Sequence, residues 1–169
     1  MKTIFLAFFS CLILSATASQ IDSLAGFRDL TFGQDKGKVS GLSPAELDPK
    51  GDTLYFKRDS DSLTVEGVSA NYIIYGFTKD KFTSVYIGFA GVQPGDEQSV
   101  ISAYTKLYGT PTNQVEKAKD GSDFRTKYVW SGEKAVLTVT VTRMKLFGTS
   151  TVSVSANIDA IPAKQAETK

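Results

Sequence analysis

The chain predicts an α+β fold: a twisted antiparallel sheet of about six to seven strands with one main helix packed on one face. Three observations carry this expectation. The C-terminal third alternates apolar and Ser/Thr residues with a period of two. Residues 71–89 read as two β-rich runs around a short polar turn. A single amphipathic stretch, 96–108, lies between these regions, without the helix–strand alternation that builds parallel sheets.

The first element is an export signal over residues 1–18. Lys2 is the basic start, Ile4 to Leu14 is an apolar run broken by Ser10, and Ala16-Thr17-Ala18 is a small-x-small cleavage pattern. Cleavage is expected after Ala18 or Ser19. The run is about half the ~20 residues needed to span a bilayer, so no transmembrane anchor is expected after cleavage. Cys11 raises a rival reading, lipidation, but Phe8-Phe9-Ser10 precede it where small residues belong. Residues 19–161 are then read as a single α+β domain, and 162–169 as a polar tail expected to be disordered.

Within the domain, Phe27 to Gly33 suggests a short strand. Ser43 to Leu47 suggests one helical turn, with Ser43 as cap and Pro44 at the first helical position. Asp52 to Lys57 resumes strand character. In the hairpin, pairing Thr78 with Lys81 sets Phe77 opposite Phe82, Tyr75 opposite Ser84 and Ile73 opposite Tyr86. Tyr72, Ile74, Val85 and Ile87 fall on the other face, so both faces are apolar.

The helix starts at Asp96, a good N-cap after Pro94-Gly95. Val100, Ile101, Tyr104, Leu107 and Tyr108 form its apolar stripe. Gly109 and Pro111 stop it. Three strands follow: Phe124 to Trp130, Leu137 to Val141 and Val152 to Ile158, each with one apolar and one polar face. Ser131 to Lys134 makes the first turn between them and Gly148 the second.

Some of these stretches resemble a known group. Gly26-Phe27-Arg28-Asp29-Leu30-Thr31-Phe32-Gly33, the helix ending Ala103 to Thr112 with its Tyr-Gly-x-Pro stop, and Tyr128-Val129-Trp130 are similar to segments of small exported bacterial helix-on-sheet domains. Comparable layouts occur in the β-lactamase-inhibitor-protein-like group and the small outer-membrane assembly lipoproteins. The resemblance implies a periplasmic adaptor or binding domain without catalytic activity. The lipid-anchored cysteine of those lipoproteins and the disulfides of the inhibitor proteins have no counterpart in residues 19–169.

Composition narrows the chemistry. Lys+Arg number 19 against 18 Asp+Glu, and loss of Lys2 with the signal leaves the two signs balanced. A neutral chain lacks the positive field that nucleic acids select, so none is expected as a partner. There is no histidine, and the one cysteine is Cys11. Ser-His-Asp, Cys-His and imidazole–zinc sites are therefore excluded, and no cofactor or metal is expected. None of Asn71, Asn113 and Asn157 lies in a glycosylation sequon, which points mildly to a bacterial periplasm or exterior.

A Ser–Lys pair or a carboxylate pair remains chemically open, with Asp59, Asp61, Glu66, Asp120 and Asp123 as the candidate acids. Solvated turns account better for them, and neither Asp59-Ser60-Asp61 nor Asp120-Gly121-Ser122-Asp123 matches a calcium loop. The aromatic residues are the stronger signal, although on half-buried strands they read first as core. One helix covers one sheet face, so one apolar face of the hairpin needs another cover, either the residue 20–50 segment or a partner. The expected open face carries Ile73, Tyr75, Phe77, Phe82 and Tyr86, with Arg125 and Lys127 as a cationic rim. The sequence thus points to an exported, non-catalytic binding domain that holds a protein or envelope component on a sheet face. The alternatives are a small carboxylate-dependent hydrolase of cell-wall or sugar polymers and an apolar-ligand carrier.

Overall fold

A computed structural model describes residues 20–89, 91–120, 122–146 and 149–162. The expected export signal and its cleavage point, Cys11, the turn glycine Gly148 and the tail beyond Pro162 lie outside the described residues.

The strands are β1 (Gly26–Phe27), β2 (Leu30–Thr31), β3 (Leu42–Pro44), β4 (Thr53–Arg58), β5 (Thr64–Val65), β6 (Val68–Thr78), β7 (Lys81–Phe89), β8 (Thr112–Lys117), β9 (Asp123–Ser131), β10 (Ala135–Leu146) and β11 (Thr149–Ala160). The helix α1 spans Glu97–Tyr108. A nine-stranded antiparallel sheet runs β3-β4-β6-β7-β11-β10-β9-β8, with β5 added onto β6. β1 and β2 form a separate ribbon whose turn holds Arg28 at φ 56°. The class is the one expected, but the sheet has more strands.

The extra strands are those without a period-two signal. β3 replaces the helical turn expected from Ser43. Pro44 sits on an edge strand, where its missing N–H costs no ladder bond. β8 is polar, and every one of its residues is exposed, so no apolar row marks it.

The core lies on one side of the sheet. It contains Ile73, Tyr75, Phe77, Phe82, Val85 and Ile87 from the hairpin, and Leu137, Val139, Val141, Val154, Ala156 and Ile158 from the long C-terminal strands. Helix α1 buries Val100, Ile101 and Tyr104 against it, while Leu107 at the stripe's edge stays exposed. Tyr104 meets Phe89 and Trp130 at ring separations of 6.4 and 6.2 Å. Trp130 donates from its indole nitrogen to the Gly109 carbonyl at 2.7 Å, tying the helix end to β9.

The helix start differs from expectation. Asp96 occupies the cap position, but its backbone is already helical and its side chain makes no cap bond. Glu97 does the work: its carboxylate accepts the Gly95 N–H at 2.6 Å and the Arg143 guanidinium at 2.6 Å. Arg143 comes from β10, so this pair, buried at Glu97 and half-buried at Arg143, anchors the helix to the sheet. None of the helices among the described residues is long and apolar enough to cross a membrane.

Candidate functional site

The β6–β7 hairpin decides which aromatics face the core. Lys79 and Asp80 both take positive φ, 49° and 59°, which suits a two-residue turn between twisted strands. Thr78 pairs with Lys81 and Phe77 with Phe82, as the sequence suggests. Thr83 is then an extra residue, and the register shifts: Gly76 pairs with Ser84, Tyr75 with Val85, Ile74 with Tyr86 and Ile73 with Ile87. Tyr86 therefore leaves the row of Ile73 and Tyr75 and joins Tyr72 and Ile74.

The expected open face is corrected accordingly. Ile73, Tyr75, Phe77 and Phe82 are 4 %, 0 %, 1 % and 0 % exposed. Their cover is the segment 21–32 together with β4. Phe27 meets Tyr75 at 6.1 Å, Phe32 stacks on Phe82 at 5.2 Å, and Phe56 meets Phe77 edge-on at 5.6 Å. The weakly patterned N-terminal segment supplies the second lid that the helix could not.

The opposite, outer face is built from different tyrosines. Tyr55 on β4 pairs with Gly76 on β6, and Tyr72 on β6 pairs with Gly88 on β7. A side chain at Gly88 would fall on the Tyr72 ring, whereas one at Gly76 would fall first on the Ser84 hydroxyl and then meet Thr53 and Tyr55 at 3.3 Å. The Tyr72 ring thus occupies the space left by its cross-strand glycine, the use of a strand-interior glycine that allows close approach. Tyr72 remains 47 % exposed. Tyr86 completes the set, packed edge-on against Tyr55 at 5.6 Å.

These rings line a groove of about 990 Å³. Ile74 and Asn71 of β6 share its sheet side. Residues 45–50 contribute Glu46, Leu47, Asp48 and Lys50, and the end of β4 with the following loop contributes Lys57, Asp59, Asp61 and Leu63. Leu47 and Leu63 are exposed at 46 % and 48 %. The volume is at the upper end of the range for small-molecule clefts, about 300–1,000 Å³.

Beside the groove, charged groups are held firmly. Tyr75 donates from its buried hydroxyl to Asp61 Oδ2, while Asp61 Oδ1 meets Arg28 at 3.1 Å. Arg28 also donates to the Ser62 and Thr64 carbonyls. Arg58 forks onto both oxygens of Asp29 at 2.6 and 3.2 Å, and its Nε is buried without a hydrogen-bond partner among the described residues. This network fastens the β1–β2 turn to the end of β4. On the outer face, burial and a hydrogen bond with Tyr55 push the Tyr86 hydroxyl up to about 12. Burial likewise raises the Asp159 carboxyl, against the opposing effects of the Asn157 amide and Lys50.

The remaining expected residues fall elsewhere. Arg125 and Lys127 are on β9, in register with Thr142 and Thr140, so they share the outer face with Tyr86. They lie three strands from β7, roughly 14 Å at ordinary strand spacing. Both contact Glu116 of β8, at 3.1 and 3.4 Å, so their charge is partly neutralised. Of the candidate acids, Asp59 and Asp61 line the groove; Asp61 uses both oxygens on Tyr75 and Arg28, and Asp59 accepts from Ser43 at 3.3 Å. Asp120 folds its own turn by accepting from Ser122. Glu66 sits at φ 49° beside the smaller hollow under α1. Among the described residues, no group of three or more acids is placed to hold a metal ion.

Tyr72, Tyr55, Leu63 and the segment 45–50 were missing from the sequence-derived site, which had set Tyr72 on the covered face. The available signal was the pair of glycines inside otherwise strong strands, Gly76 and Gly88. Comparison of the chain with protein-family models, with curated proteins and with solved structures returned no match.

Proposed function

We propose that the protein is an exported, non-catalytic binding domain whose working surface is the tyrosine-lined groove on the outer face of the sheet. The observation that carries this reading is the exposed Tyr72 ring, seated over Gly88 and lining a groove of about 990 Å³. Most of the chain's large aromatics are consumed by the core. Tyr72, Leu47 and Leu63 instead stand exposed together along one groove, where they contribute little to folding. Apolar side chains gathered in this way, rimmed by charged residues, mark interaction surfaces. The rim is mixed in sign, with Glu46, Asp48 and Asp59 against Lys50 and Lys57. That balance supports an envelope component of low net charge.

The test is a pair of variants. Tyr72→Ala with Leu47→Ser should keep the fold, judged by circular dichroism and melting, and should lose retention of the envelope component in an affinity capture. Arg125→Ala, three strands away, should leave capture unchanged. Loss of capture with Arg125→Ala and retention with the groove variant would move the working surface to β8–β9.

A further inference from the structure

We infer that the groove takes a neutral glycan chain, with one sugar ring stacked on Tyr72; this rests on the groove being the working surface. Tyr72 lies over Gly88 because no Cβ intervenes, so one side of the ring is backed by the β7 backbone. The other side is open at 47 % exposure. A flat ring fixed from below and open above offers its π-face to a flat, weakly polar partner. The C–H face of a pyranose is such a partner, through many weak contacts.

The surroundings argue for hydroxyl groups at the edges of that partner. Asn71, the neighbour of Tyr72, offers both amide donors and an acceptor, and Glu46, Asp48 and Asp59 offer carboxylate acceptors. Lys50 and Lys57 add donors. A polyol needs donors and acceptors interleaved. A lipid tail would cover the groove's apolar side chains but leave Asn71 and the charges of Glu46, Asp48, Asp59, Lys50 and Lys57 without partners. A polyanion would need a basic lining, and the acids here offset the lysines. Its volume of about 990 Å³ suits several linked rings rather than a single sugar.

The experiment is a titration of the isotope-labelled protein, followed by amide resonances. The probes are short unbranched oligosaccharides of N-acetylglucosamine, those of glucose, and a mixed tryptic peptide digest. Resonances of Tyr72, Ile74, Tyr86 and Leu47 should move with at least one saccharide series. Tyr72→Ala should weaken that binding about tenfold or more, whereas Tyr72→Phe, which keeps the ring, should retain it. If the groove responds to peptides and to neither saccharide series, the glycan inference is overturned while the groove remains the binding surface. If saccharides move only resonances outside the groove, both readings fall. Equal loss in Tyr72→Phe and Tyr72→Ala would also overturn the stacking, because the hydroxyl rather than the ring would then be the contact.

Discussion

Tyr72 on β6 and Gly88 on β7 are cross-strand partners, and the tyrosine ring fills the space that any side chain at 88 would take. The glycine is therefore part of the site without touching a ligand. A Gly88→Val substitution should lift the ring from the sheet and cost about 1–3 kcal/mol as an overpacked position. Urea denaturation reads the stability, and the same variant should lose groove binding. Unchanged binding with a well-folded protein would show that the ring does not need its seat.

Tyr75 and Tyr86 differ in role although both lie in the hairpin. The Tyr75 hydroxyl is buried and donates to the Asp61 side chain, which also pairs with Arg28. Tyr75→Phe leaves that oxygen without its donor and should cost about 1.5–3 kcal/mol, the value for a hydrogen bond to a charged group. Tyr86→Phe, which loses a bond between neutral hydroxyls, should cost about 0.5–1.5 kcal/mol. Paired denaturation curves check the order, and a larger loss at Tyr86 would contradict the assignment of core and outer face.

The hairpin also shows how much was legible in the sequence. Thr78–Lys81 and Phe77–Phe82 pair as local composition suggests. The bulge at Thr83 then moved Tyr86 by one position, and in a strand one position is the opposite face. Nothing in the composition of Thr83-Ser84 marks a bulge. Its threonine hydroxyl bonds to Thr78 at 2.9 Å, a contact that exists only once the strands are paired. The helix, the long C-terminal strands and the α+β class were readable because each has a strong period. The second lid showed only as one of two alternative covers, because Phe27 and Leu30 come from strands of two residues and Phe32 follows the second, too short to show a period. The groove escaped for a related reason: its tyrosines come from β4, β6 and β7, and only the sheet order brings them together.

Glu97 should set part of the acid stability. Burial opposes its charge, but backbone N–H groups of Glu97 and Gly95 and the Arg143 guanidinium together hold its carboxyl below the ordinary value. Its contribution is therefore fully present above the unfolded carboxyl range, near 4.3, and is lost as pH falls through the lower folded value. Glu97→Gln should be clearly less stable than the parent at pH 7, and the gap should close in acid. A gap of constant size across that window would mean the ion pair with Arg143 is not its source.

The alkaline limb should have the opposite origin. Burial raises the hydroxyls of Tyr75, Tyr104 and Tyr108, and lifts Tyr86 to about 12. Unfolded tyrosines ionise near 10. The folded protein thus holds more protons above pH 10, so stability is full below that pH and falls as pH rises toward 12. Phenolate absorbance should show tyrosines whose ionisation coincides with unfolding, and Tyr86→Phe should shallow the decline. Titration of every tyrosine near 10 while the fold persists would contradict the buried placement.

The proposed working surface is the outer tyrosine face. Amide resonances recorded while an envelope fraction is added to the labelled protein test this most directly. Shifts confined to Leu47, Tyr55, Tyr72, Ile74 and Tyr86, with α1 and β8 unmoved, are expected. Shifts along α1 or β8 with the groove unmoved would contradict it.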